Sequence, residues 1–104
     1  MVHSIISLQV QQDKFEEARD WAKRMAKRMK EAFGVDMETM LPTTPGEGEG
    51  GRIYWLSTHD SFAAWADFHT KELEDPERRK LVKESQTEHY FVRNTLKRSL
   101  YRVF

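Results

Sequence analysis

Residues 59–69 read HDSFAAWADFH, and they place a proton carrier among aromatic rings. Phe62, Trp65 and His69 are separated by steps of three and four, so a helix aligns them along one side. His69 is the side chain of that stripe that exchanges a proton near neutral pH. The stripe has two readings. In one it is a wall of a pocket for a flat ligand. Trp65 and Phe62 are then ring walls, His69 is the candidate catalytic base, and Trp55 or Tyr54 supplies a second wall. Ser7 and Tyr101 are candidate orienting hydroxyls, and Arg98 is a cation that could turn a substrate oxygen. In the other reading the same aromatics are plain core, with His69 hydrogen-bonded at the helix edge. Both stay open at the level of sequence.

Other chemistries find less support. The four histidines, His3, His59, His69 and His89, include no pair four apart. His69 and Glu72 stand three apart on a helix but lack a third metal ligand, so a surface pair is expected and no metal or cofactor is. No Gly-x-Ser-x-Gly element supports a serine nucleophile. The chain has no cysteine, which removes disulfides, thiolate metal sites and a cysteine nucleophile. Seventeen basic residues balance seventeen acidic ones, which gives no electrostatic reason to bind nucleic acid or an acidic membrane. An apolar start that is short and alternating, MVHSIISLQV, does not fit a signal peptide. A cytoplasmic location is the expectation.

Several elements must position these residues. At 104 residues the prior is one domain, 1–104, and 38% hydrophobic with 33% charged residues suits a packed fold with a charged surface. VHSIISLQV, 2–10, alternates as a strand, with Val2, Ser4, Ile6, Leu8 and Val10 on one face. A helix follows. Asp13 is the expected N-cap, with Glu16 completing a capping box. Phe15, Ala18, Ala22, Met25, Met29 and Phe33 form its apolar stripe, widened by Trp21, and Gly34 stands where a helix-ending glycine belongs. Acidic residues crowd its first half and basic ones its second, in the order the helix dipole favours. VDMETML, 35–41, alternates again. PTTPGEGEGG, 42–51, is expected to be a mobile strand connection; its glutamates and missing Lys-Ser/Thr argue against a phosphate loop.

RIYWLST, 52–58, is a third strand with apolar residues on both faces: Ile53 and Trp55 against Tyr54 and Leu56. Asp60 or Ser61 caps the next helix, whose expected inward stripe is Phe62, Trp65, Ala66, His69 and Leu73, with Phe68 on its shoulder. Asp75-Pro76 restarts a helix that runs to about His89. NTLKRSLYRVF, 94–104, is the last strand. This strand–helix–strand–strand–split helix–strand order predicts a ferredoxin-like α+β fold, βαββαβ, an antiparallel four-stranded sheet with helices on one face. The other face, with Tyr54 and Leu56, then presents an apolar patch that a second copy would bury, giving a homodimer with stacked sheets.

The layout, together with "YWLSTHDSFAAWADFH" and "EDPERRKLV", resembles the dimeric α/β-barrel superfamily, in its antibiotic-biosynthesis-monooxygenase-like and NIPSNAP-like forms. The resemblance implies cofactor-independent oxidation of polycyclic phenols, haem degradation, isomerisation, or no activity. The haem-degrading branch implies an Asn on the first strand, a helical Trp, and an iron-binding His three turns beyond it. Trp65 matches the Trp and Ser7 takes the Asn position, but three turns on lies Asp75. His69 is only one turn away, about 6 Å along the axis, so the iron geometry does not transfer. The phenol-oxidising branch needs only an apolar slot, aromatic walls and a group that deprotonates the phenol. RNA-recognition domains share the element order, yet the first strand here has no aromatic residue on which a base could stack. The expectation is a monooxygenase-like enzyme or a binder of a small hydrophobic aromatic molecule; the alternative is a non-enzymatic structural or ligand-binding homodimer.

Overall fold

The alternation of residues 2–10 becomes strand β1, Val2–Gln9, and Val10 extends it by an isolated bridge to Phe91. A computed structural model describes residues 1–41 and 51–104; the glycine-rich connection expected at 42–51 lies, apart from Gly51, outside the described residues. The remaining elements are α1 Phe15–Phe33, β2 Met37–Met40, β3 Arg52–His59, α2 Phe62–Glu74, α3 Pro76–Thr87 and β4 Lys97–Arg102. The sheet is antiparallel in the order β2-β3-β1-β4, and the architecture is the ferredoxin-like α+β arrangement, with the second helix split at Asp75 as the sequence predicts. Among the described residues no helix is long and apolar enough to cross a membrane.

Period-two alternation sends one set of side chains to the helices. Ile6 and Leu8 of β1, Ile53 and Trp55 of β3, and Met37 of β2 meet Ala18, Trp21, Ala22, Met25 and Met29 of α1. Tyr54 and Leu56 take the opposite, helix-free face and are half-buried, beside Ser7 and Ile5 of β1 in register.

Two helix ends follow their local chemistry. Ser61 accepts the Ala64 N–H at 3.1 Å, and Gly34 ends α1 at φ 68° with its N–H on the Lys30 carbonyl. The start of α1 differs from expectation. Asp13 is not the cap: it sits at φ 71° inside a turn closed by Lys14 N–H to Gln11 C=O at 3.0 Å, and Lys14 at the N-cap makes no side-chain bond. The turn bends the chain from Val10, pinned to Gly51 and Phe91, into the helix, and Asp tolerates the left-handed conformation better than most residues.

The buried stripe of α2 also differs. Phe68 and Glu72 face inward, with Trp65, Ala66 and His69 half-buried beside them, whereas Phe62 is 57% and Leu73 46% exposed. The helix is rotated toward its Glu72 side, where that carboxylate meets His69 of α2 and Arg78 of α3. At the break, Asp75 accepts the Arg78 N–H and two bonds from the Arg28 guanidinium, at 2.9 and 2.6 Å, clamping α1 to the α2–α3 junction. Trp21 Nε1 donates to the Leu81 carbonyl at 2.6 Å, and Arg24 forks onto Glu84, holding α1 to α3.

Candidate functional site

Between the helix-facing side of the sheet and α3 lies a cavity of about 790 Å³, within the range of small-molecule sites. Its floor is Ile6 and Leu8 of β1 with Trp55 of β3. One wall is Trp21, Met25 and Met29 of α1, joined by Met37, and Val82 and Phe91 close the far side. Trp21, Trp55 and Phe91 meet edge to face, with centroids 5.2 to 6.2 Å apart. Three neighbouring methionines give the wall a soft, adaptable surface. Trp55 Nε1 is buried and meets no acceptor among the described residues.

Polar groups gather where α2, α3 and β4 border the cavity. Glu72, only 6% exposed, reaches His69 Nδ1 through Oε1 at 2.8 Å and faces Arg78 Nε through Oε2 at 3.7 Å. Arg98 Nη1 stands 3.5 Å from His69 Nε2. A guanidinium only donates, so Nε2 is the accepting nitrogen and Nδ1 carries the hydrogen directed at Glu72. The expected surface pair of His69 and Glu72 is thus anchored by a buried carboxylate. Glu72, Arg78 and Arg98 line the cavity, and His69 stands behind them.

The sequence candidates fall into three groups. Phe62, Trp65 and His69 form a ladder beside the cavity: the Trp65 and His69 planes are 9° apart at 5.1 Å, and Phe62 tilts over Trp65 at 5.6 Å. Trp55 lines the cavity itself. Tyr54, Ser7 and Tyr101 project from the other face of the sheet, away from Trp55 and His69. There the Ser7 hydroxyl accepts from Arg52 at 3.0 Å, and Arg52 also bonds the Thr95 carbonyl. The structure therefore brings Trp65, Phe62 and His69 together, and keeps Ser7, Tyr54 and Tyr101 apart from them. Glu72, Arg78 and the methionine wall escaped sequence reading as site residues. Glu72 carried a signal in its spacing from His69; nothing in the spacing marked Arg78.

A second histidine is buried nearby. His59 lies over Phe68 with ring centroids 5.3 Å apart, and its Nε2 is 2.9 Å from Ser57 Oγ. Burial lowers its pKa below the ordinary 6.5, against the opposing pull of Glu72 and Asp60. Ser57 and His59 stand away from the cavity lining. Among the described residues no three His, Cys, Asp or Glu side chains converge.

Solved structures share this fold. An antibiotic-biosynthesis-monooxygenase-like protein from Deinococcus radiodurans superposes with TM-score 0.65 at 16% identity, covering 100% of this chain and 93% of the other. A NIPSNAP domain protein from Burkholderia xenovorans gives TM-score 0.77 at 8% identity, over 100% and 95% of the two chains. A further antibiotic-biosynthesis-monooxygenase-like protein, from Nitrosomonas europaea, gives 0.70 at 11% identity over 100% and 99%. The chain has their fold. This agrees with the resemblance carried by the Trp-bearing helix and the Asp-Pro-Glu break. No protein-family model and no curated protein matches the chain.

Proposed function

We propose that this domain binds a small hydrophobic aromatic molecule in the cavity under α3 and oxidises it as a cofactor-independent, monooxygenase-like enzyme. The observation that carries the reading is the cavity itself: apolar and aromatic over most of its wall, with Glu72, Arg78 and Arg98 gathered at one border. A phenol seated among Trp21, Trp55 and the methionines gives up its proton to Glu72. His69, hydrogen-bonded to that carboxylate, shares the charge change. The resulting phenolate is electron-rich enough to reduce dioxygen. Trp65 and Phe62 support this from behind by fixing the His69 ring. The fold shared with antibiotic-biosynthesis-monooxygenase-like proteins supports the reaction class by analogy.

Titration with a naphthol tests it, reading tryptophan fluorescence and oxygen uptake together. The expected result is saturable quenching with oxygen consumption that Glu72→Gln abolishes while binding persists. Absence of quenching overturns the reading; quenching without oxygen uptake leaves a binding protein.

We also infer that a second copy covers the helix-free face of the sheet. Ile5, Tyr54, Leu56 and Tyr101 share that face, and Tyr101 is exposed. Equilibrium sedimentation at micromolar concentration is expected to return the dimer mass, and a monomer overturns the assembly.

A further inference from the structure

The cavity wall carries three guanidinium groups, Arg78, Arg93 and Arg98, against one carboxylate, Glu72. Glu72 is engaged by His69 and Arg78. Among the described residues Arg93 and Arg98 form no ion pair with an acidic side chain, so the wall keeps a surplus of positive charge. His69 fixes where that surplus stands relative to Glu72. Its Nδ1 meets Glu72 Oε1 at 2.8 Å, and its Nε2 stands 3.5 Å from Arg98 Nη1. A carboxylate and a cation without a counterion are thus one imidazole apart on the same border of the cavity. The sheet register puts Arg98 there. It pairs with Ile6, whose side chain packs toward the helices, so Arg98 rises on that side of the β4 edge. Arg98 is exposed and touches the imidazole through Nη1, which leaves the rest of its fork open to another acceptor. Away from this border the wall turns apolar, with Met25, Met29, Met37 and Val82.

We propose that the ligand is an aromatic hydroxy acid with both polar groups on one ring, its hydroxyl at Glu72 and its carboxylate on Arg98. The proposal rests on the cavity binding a phenol at Glu72, and it names the class of phenol that the site selects. Both groups leave from one edge of the ring system, and the remaining ring lies over the methionines. The spacing follows from His69. Hydroxyl and carboxylate must span about one imidazole, which groups meta to each other on one ring do and groups at opposite ends of a naphthalene do not. The carboxylate offsets the surplus of guanidinium charge and takes up the planar fork of Arg98 in a bidentate contact. Held there, it directs the neighbouring hydroxyl at Glu72. Arg98 is therefore the residue that sets specificity, and a neutral phenol has no anchor on it.

Three probes test this: a naphthol, a hydroxynaphthoate with its groups meta on one ring, and an isomer with them on opposite rings. Affinities are measured by calorimetry on the full chain at low and high salt. The same-ring acid is expected to bind at least about tenfold more tightly than the naphthol, with a margin that shrinks as salt rises. The opposite-ring isomer engages Arg98 or Glu72 but not both, and is expected to bind several-fold more weakly than the same-ring acid. In Arg98→Gln, at an exposed position and with folding checked by its melting curve, the same-ring acid is expected to bind no better than the naphthol does to that variant. Arg98→Lys keeps the charge without the fork and is expected to retain part of the margin. Equal affinity of wild type for the naphthol and the same-ring acid overturns the hydroxy acid while the phenol site stands. Equal affinity for the two isomers, or a margin that survives Arg98→Gln, does the same. Failure of all three probes to bind overturns both.

Discussion

The Trp65 indole and the His69 imidazole lie flat against each other, planes 9° apart at 5.1 Å, and the far edge of that imidazole holds the buried Glu72 carboxylate. One side chain therefore has two duties. His69→Ala is expected to cost about 1–3 kcal/mol, because a buried acceptor loses its donor. His69→Gln retains a donor and is expected to cost under about 1 kcal/mol by the same reasoning. Urea unfolding of both variants, beside naphthol binding, measures the two duties separately. A stability loss equal in both variants would refute the hydrogen-bond account.

The Arg28–Asp75 clamp gives a second expectation. Asp75 is 8% exposed, caps α3 and takes two bonds from Arg28. Asp75→Ala removes the cap and strands a half-buried guanidinium, a loss expected at about 3 kcal/mol. Asp75→Asn keeps the cap and should lose roughly half as much. The clamp holds the Asp75 carboxyl below its ordinary value, chiefly through the Arg28 hydrogen bond. Its stabilisation is present above the unfolded value and disappears as pH falls through the folded one. Wild type and Asp75→Asn should converge in strong acid when unfolding is followed by circular dichroism.

Local chemistry made the frame legible. Ser61, Gly34 and Asp75-Pro76 announce their helix ends because each cap is a contact within a few residues. Strand alternation placed Ile53 and Trp55 on one face and Tyr54 and Leu56 on the other before any contact was known. Two local signals misled. Asp13 has the right side chain for a cap, but the Val10–Phe91 bridge commits the chain to a turn there. Phe62 and Leu73 look inward by period, yet α2 turns Glu72 inward instead, toward His69 of its own helix and Arg78 of α3. The cavity itself was not legible. Met29, Met37, Val82 and Arg98 converge from four elements, and that convergence is a property of packing rather than of spacing.

Gly34 isolates backbone strain from sterics. Its φ is +68°, and a Cβ placed there would meet nothing within 4 Å. Gly34→Ala should then cost about 1 kcal/mol, all of it conformational. Gly34→Asn should cost about half that, since Asn tolerates the left-handed region. Thermal unfolding of the pair checks the order; an Ala variant as stable as the wild type would contradict it.

His59 is expected to set the pH range in which the fold begins to weaken. Burial against Phe68 holds its folded pKa below the ordinary 6.5 of the unfolded chain. Below that value the unfolded chain takes a proton that the folded one refuses, so the His59 contribution is complete above 6.5 and declines as pH falls toward the folded value. The carboxylates of Asp75 and Glu84, both depressed by their arginine partners, act lower. Their contributions persist above ordinary values of 3.8 and 4.5 and fade only as pH falls below those values. The two windows are therefore separable. Urea midpoints measured between about pH 7.5 and 5.5 should fall in the wild type, since that span brackets the ordinary histidine value. His59→Gln, which cannot take a proton, should flatten a large share of that decline. It should leave the steeper loss in stronger acid, where the carboxylates titrate, in place. A variant whose midpoint falls as steeply as the wild type across the upper window would show that the proton is taken up elsewhere.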